Sequence, residues 1–243
     1  MEVTPREVLV SIVIVCVLLV VGIVISGNIN DAVMGQCQEY DTALQINNDR
    51  DLFEYGMRTN IGNAFVYGRL KAVDPVTYPE IGGSYSYVKK VKERYTRHTR
   101  TVTKTKTVNG KTKTYTDTEV YWTWDAVASW FKHSEKISFL DVEFDYGKID
   151  FPLANHIATK KESSNIRYVY YGAGDDFTGT LYTVLNNNTI SNSIFHNSCS
   201  VDAAIENMKS AAVSRLIVFW VLWSMLIVGC VFGFLYLDNY WLE

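Results

Sequence analysis

VLVSIVIVCVLLVVGIVIS, residues 8–26, carries no charged side chain. Nineteen residues of helix rise about 28 Å, close to the roughly 30 Å of a bilayer's hydrocarbon core. A second run, LIVFWVLWSMLIVGCVFGFLYL (216–237), has the same character and is bracketed by Arg215 and Asp238. Apolar runs this long are uncommon as core helices of soluble folds, so both are read as transmembrane helices. A cleaved signal peptide fits the first run poorly. Glu2 and Glu7 offset Arg6 beside it, the run is longer than a usual signal core, and no A-x-A site follows.

Working outward, the chain divides into a tail (1–7), a span (8–26), an extramembrane domain (27–214), a second span (215–237) and a tail (238–243). The 243 residues are 48% hydrophobic and 20% charged, with a net charge of −3. That excludes a disordered or collagen-like chain and a globally basic nucleic-acid binder. Both termini fall on one side of the membrane. Arg6 marks the N-terminal tip, whereas 27–49 holds Asp31, Glu39, Asp41 and Asp49 and no Lys or Arg. This places the domain outside the cytoplasm, against the opposing signal of Lys209 and Arg215. The expected location is the cell membrane, with the main domain extracytoplasmic.

Cys16 and Cys230 lie inside the spans and read as small apolar residues. Cys37 and Cys199 are the two in the domain, each within one to two dozen residues of a span, and are a candidate disulfide in an oxidising compartment. Asn187-Asn188-Thr189 is an N-x-T sequon, which makes Asn187 a candidate glycosylation site on an external domain.

The most unusual stretch is RYTRHTRTVTKTKTVNGKTKTYTDTEVYWTW (94–124). Asn109-Gly110 favours a type I′ hairpin turn. Folding there sets Lys106 against Lys113, Lys104 against Tyr115, Val102 against Asp117, Arg100 against Glu119 and His98 against Tyr121. Thr107, Thr105, Thr103 and Thr101 then meet Thr112, Thr114, Thr116 and Thr118. One face is almost all threonine and the other mostly charged, so neither can seed a core. The expectation is a ribbon of roughly 45 Å projecting into solvent, spanning about 88–124, with Tyr121, Trp122 and Trp124 returning it to the core. Residues 89–113 hold ten Lys or Arg against Glu93 alone. Arg97, Arg100, Lys104, Lys106, Lys111 and Lys113 are therefore candidate partner-binding residues for an anionic lipid, an envelope polymer or an acidic protein. Nucleic acid is the weakest partner, because few aromatics interleave with the charges. A solvated ribbon whose lysines prevent edge pairing explains the same pattern.

Elsewhere, 31–58 reads as helix with a break at Asn47-Asn48-Asp49. Residues 64–73 read as a strand, 125–135 as a short helix, and 136–152 as an alternating strand. Strands are expected at 166–172, 177–185 and 189–195, and one helix from Ser200 through the second span. Asp141, Glu143 and Asp145 fall on one strand face but lack a Ca²⁺ ligand loop. His98, His133, His156 and His196 have no metal-ligand spacing. Gly172-Ala173-Gly174-Asp175-Asp176 resembles the GxGD motif of intramembrane aspartyl proteases but lies between strands, so it reads as a turn. No other catalytic motif is present. No cofactor or metal is expected. Gly229 and Gly233 form a GxxxG, a candidate helix-packing face.

The stretch VYGRLKAVDPVTYPEIGGSYSYVKKVKERY (66–95) resembles the start of the "beside a membrane" (GIDE-type) domain. Gly68, Leu70, Ala72, Pro75, Pro79, Gly83, Tyr85 and Tyr87 carry the likeness. HSEKISFLDVEFDYGKIDFP and RYVYYGAGDDFTGTLYTVLNNNTI also resemble LUMA-type membrane proteins. The resemblance implies an external or lumenal β-rich domain that binds partners. The family's ligase chemistry belongs to a RING finger after the last span, and no Cys/His cluster follows the second run here, so that activity is not implied.

The expected fold class is an α+β membrane protein, two transmembrane helices flanking a β-rich domain with a long projecting hairpin. The expected role is non-enzymatic: a membrane-anchored protein whose domain binds an envelope component or partner protein. Alternatives are an oligomeric membrane scaffold or pore-like assembly and, more weakly, a phage-encoded envelope-modifying protein of the superinfection-exclusion kind.

Overall fold

The computed structural model describes residues 4–108, 111–150 and 154–241. The Asn109-Gly110 turn, the side chain of Lys111 and the end of the C-terminal tail lie outside the described residues. Two long apolar helices flank a β-rich domain. Helix α1 (Pro5–Thr42) starts where Thr4 and Glu7 form a capping box and Pro5 occupies the first turn. The closing helix spans Val201–Trp241, with the Ser200 hydroxyl accepting from the Ala203 N–H at 3.4 Å.

Both helices outrun the uncharged segments at their centres. Residues 27–42 of α1 and 201–215 of the closing helix extend toward the β domain as a paired stalk of about 24 Å. Residues 27–42, expected inside the domain, therefore belong to the stalk.

Strand β1 (Leu44–Asn47) follows α1, then helix α2 (Arg50–Thr59). The segment 31–58 is thus helix, strand, helix. Four residues are too few for alternation to show, but Ile46 is fully buried and β1 pairs in parallel with β2 (Gly62–Ala72). Asp49 caps α2, and Asn60, in the left-handed region, ends it. The remaining strands are β3 (Tyr85–Val108), β4 (Lys111–His133), β5 (Lys136–Phe139), β6 (Val142–Asp145), β7 (Asn155–Lys161), β8 (Ile166–Gly174), β9 (Asp176–Asn186) and β10 (Thr189–Asn197). The closing helix is α3.

They form two sheets. The first runs β10-β9-β2-β5-β6, with β1 beside β2. The second runs β4-β3-β8-β7. The first sheet is covered on both faces. On one, Phe53 and Met57 of α2 pack with Val66, Leu70, Phe139, Phe144, Leu181 and Leu185. On the other, Phe65 and Tyr182 meet Tyr40 of α1 and Ala204 and Met208 of α3. This explains why Ala64, Phe65 and Val66 are all buried in succession. The roots of the two long helices are thereby built into the core.

Two expectations need correction. Residues 125–133 are not a helix but the end of β4. Ala126 and Ala128 favour helix weakly, whereas β3 offers a hydrogen-bonded partner along the whole segment, with a bulge opposite Glu93. Residues 136–150 are not one strand, and positions 151 and 152 of that expected strand lie outside the described residues. The chain turns at Leu140 (φ 51°) and Asp141 (φ 60°), both left-handed. Leucine is an unlikely turn residue by sequence. Here it is buried, seated over Gly68, where a Cβ would lie 2.7 Å from its side chain. The turn also removes Asp141 from the strand face that carries Glu143 and Asp145.

The sheets are joined beside Asp74. Its carboxylate accepts from the N–H groups of Glu135 (2.7 Å) and Lys136 (3.0 Å) and from the Ser134 hydroxyl (2.5 Å). These bonds, the Glu135 N–H first, hold the carboxyl down at about 2.

Candidate functional site

The ribbon is the feature of the fold that packs on nothing. Strand β3 pairs with β8 only from Tyr85 to Arg94. Beyond that, residues 95–108 pair with β4 alone, a free length of about 46 Å. The register pairs Arg100 with Glu119, Val102 with Asp117, Lys104 with Tyr115 and Lys106 with Lys113, with the four threonine pairs between them. The hairpin register read from the sequence is therefore the one observed.

The charges on the ribbon are not equivalent. The Arg100 guanidinium donates to Glu119 at 2.9 Å, and the Lys104 ammonium donates to Asp117 at 2.7 Å and lies 3.5 Å from Glu119. These cations hold both carboxyls below the usual range, Lys104 acting on Asp117 and Arg100 first on Glu119. Lys90 and Lys92, nearer the body, are tied to Glu80 (2.7 Å) and Glu162 (3.8 Å). Lys90 also sits 4.6–5.6 Å from the ring centres of Tyr78, Tyr168 and Tyr170. Two cations at the base of the stretch 89–113 are thus paired, whereas Lys89 and Arg94 have no ion pair among the described residues. Lys106 and Lys113 differ: they face each other across the strands, and neither has an ion pair among the described residues. Arg97 lies on the threonine face opposite Trp122 and also lacks one among the described residues.

The base of the ribbon is braced by aromatics, not returned to the core. Tyr95 lies between Trp122 (5.4 Å, stacked) and Trp124 (5.2 Å). The Arg167 guanidinium covers Trp124 at 4.3 Å and donates to Glu93 at 2.6 Å. On the opposite face His98 stacks on Tyr121 at 5.3 Å and meets Asp125 at 2.5 Å. The Thr123 hydroxyl, then His98, lower the Asp125 carboxyl. Trp122 remains half exposed, at 51%. Sequence alternation shows that these rings share a face. It does not show that Arg167, from β8, closes the stack.

The helix pair is fastened along its length. Lys209 bonds Asp41, and Arg215 bonds Gln36, in the stalk. Farther along, the Trp223 indole donates to the Leu18 carbonyl at 3.0 Å, in a space that Gly22 leaves open. At the far end Arg6 clasps Asp238 through both oxygens, at 2.6 and 2.8 Å. Gly229 and Gly233 take no part in this packing, since a Cβ on either would meet nothing within 4 Å. Within the chain the close approach is at Gly22, and Gly229 and Gly233 stay exposed.

The Cys37–Cys199 disulfide is also corrected, as all four cysteines are free. Cys199 packs against the cluster formed by Phe65, Tyr182, Ala204 and their neighbours, whereas Cys37 lies in the stalk, five residues before the end of α1. Asn187 occupies the exposed β9–β10 turn at φ 49°. No group of three or more His, Cys, Asp or Glu that could hold a metal occurs among the described residues. No family model, curated protein or solved structure matches the chain.

Proposed function

We propose that this is a non-enzymatic, membrane-anchored interaction protein, with α1 and α3 crossing the membrane and the β domain held outside the cytoplasm. The ribbon is its contact surface for a negatively charged envelope component or protein. The carrying observation is the Lys106–Lys113 pair at the distal end of an unpacked ribbon. Like charges directly opposite one another destabilise a hairpin, and no acid of the described chain relieves these two. An acidic ligand would. Nothing in this reading rests on the GIDE-type resemblance, and nucleic acid is not favoured as the ligand.

Vesicles rich in phosphatidylglycerol are a suitable first probe, added to the full chain in detergent-free nanodiscs. Replacing Lys104, Lys106, Lys111 and Lys113 with Gln should weaken vesicle binding at least about tenfold, given roughly 1 kcal/mol per lysine near an anionic surface, and should flatten its salt dependence. Unchanged binding would make the ribbon a spacer.

A further inference from the structure

We propose that the ribbon's partner in the membrane is the outer edge of β4 in a second copy of this chain, paired antiparallel about a two-fold axis at Tyr115. This rests on the ribbon being a contact surface, and it adds what the surface meets first.

Strand β4 is an edge strand over its full length, and among the described residues no strand covers its outer side. Adjacent residues of an antiparallel strand alternate in the side to which they offer N–H and C=O. The Thr118 N–H donates to the Asp117 side chain at 2.9 Å and not across the ladder to β3. The outward-facing backbone groups therefore belong to Thr112, Thr114, Thr116 and Thr118. Apart from the Thr118 N–H, which Asp117 occupies, these residues form an unmatched row of donors and acceptors, the kind of edge that pairs with another chain unless something blocks it.

The side chains select the register. In two-fold antiparallel pairing, each residue meets the one equally far beyond the axis. An axis at Tyr115 sets Lys113 opposite Asp117 of the other copy and Lys111 opposite Glu119. The same operation repeats both pairs. Thr112 meets Thr118, Thr114 meets Thr116, and the two Tyr115 residues meet each other. Along the sequence of β4, this register alone sets lysine against acid at four positions and like charge against like at none. Moving the axis to Tyr121 sets Asp117 opposite Asp125; moving it to position 118 sets Asp117 opposite Glu119. The charged pairs fall at the non-hydrogen-bonded positions, where side chains lie closest.

The pairing also answers the monomer's unrelieved contact. Across the joined sheet the row reads Lys106, Lys113, then Asp117 and Val102 of the second copy. Lys113 gains the acid that its own chain does not give it. Asp117 and Tyr115 are open enough to be reached: 47% of the Asp117 side chain and 47% of Tyr115 are exposed. The other free edge, residues 95–108 of β3, carries Arg97, Arg100, Lys104 and Lys106 and no acid, so an identical edge is repelled in every register. Pairing β3 to β4 instead would leave an edge free at each end and grow into fibres, whereas β4 with β4 closes. The two bodies then lie at opposite ends of a joined ribbon, about 60 Å apart from one Trp124 to the other.

Charge reversal in the full-length chain tests this. Lys113→Asp sets Asp against Asp in a self-pair, and Asp117→Lys sets Lys against Lys. Mixed, the two variants restore opposite charges at both positions. With differently tagged chains in mild detergent, each variant alone should self-associate at least about tenfold more weakly than wild type, and the mixture should recover wild-type co-purification. No recovery in the mixture overturns the proposal, as does wild-type self-association of either variant alone. Should a variant fold poorly, Tyr115→Cys in a chain lacking Cys16, Cys37, Cys199 and Cys230 gives a second reading. Directly opposed residues at a non-hydrogen-bonded pair suit a disulfide. Crosslinked dimer should far exceed that from Thr103→Cys on the other edge, and equal yields overturn the proposal. Recovery in the mixture, with vesicle binding unaffected by the four Lys→Gln changes, would sink the anionic-ligand reading and leave the self-pairing. The reverse pattern would do the opposite.

Discussion

Replacing Gly179 with valine is expected to prevent the first sheet from forming. Gly179 lies near the start of β9, paired with Gly68 of β2 on one side and Asn197, the last residue of β10, on the other. A Cβ there would overlap the His196 carbonyl oxygen and lie 3.1 Å from the Phe195 ring. The obstacle is backbone, so it yields only if the end of β10 moves away from β9. β10 leads directly to α3, and its loss also frees Ile190 from the core. The cost should be on the order of 3–5 kcal/mol, the range of a forced core rearrangement. Thermal unfolding and limited proteolysis read it. Gly35→Ala, where nothing lies within 4 Å, should leave the protein as stable as before or slightly more so. A Gly179→Val protein that melts like wild type would mean that β10 does not pair as described.

The second large effect is expected at Arg167. Its side chain is 29% exposed and that of Glu93 15%, so this pair is better shielded from water than the ribbon's other ion pairs. Arg167→Ala removes the 2.6 Å bond to Glu93 and the cover on Trp124. Glu93 is then left without its charged partner. Loss of one member of a fully buried pair costs about 3–5 kcal/mol, and partial exposure brings this nearer 2–3. Because the stack of Trp124, Tyr95 and Trp122 fixes where the ribbon leaves the body, the damage should be local as well as global. Trypsin should cut the ribbon faster, and tryptophan emission should shift to the red. Arg167→Lys keeps the charge without the planar fork, so it should recover only part of the loss. Unchanged cleavage would place the ribbon's support elsewhere.

The parts of this fold that were legible in the sequence are those with long, repeated patterns. The two uncharged runs give the long helices. The Thr-x-Thr alternation shows which residues share a face, and the two-residue Asn109-Gly110 turn selects one register among those, two residues apart, that keep threonine against threonine. Turn chemistry at Asn186-Asn187-Asn188 and at Gly174-Asp175 gives the β8, β9 and β10 boundaries. What escaped is set by distant partners. Strand β1 is four residues and exists because Ile46 has a core to enter. The Leu140-Asp141 turn has one ordinary turn residue, Asp141, and puts leucine beside it, held by burial of Leu140 over Gly68. Strand β7 has little alternation of its own and forms as the outer neighbour of β8. The end of β4 looks helical from 125 to 135 but is captured by β3.

The candidate site divides in the same way. The lysines were visible, but their inequality was not. The hairpin register already set Arg100 against Glu119 and Lys106 against Lys113; the structure adds that Lys104 is answered by Asp117 and Lys90 by Glu80, and Lys106 and Lys113 by no ion pair in the described chain. Cys37 and Cys199 looked paired because both flank the spans. The stalk separates them, since α1 continues unbroken to Thr42.

The most direct test of the account is the side of the membrane on which the ribbon lies. Thr105→Cys places a single thiol on the exposed threonine face, in a chain whose four native cysteines are replaced. A membrane-impermeant maleimide applied to intact cells should label it without reductant and to the same extent as after the membrane is opened. Labelling only after opening would put the ribbon in the cytoplasm and contradict an external contact surface.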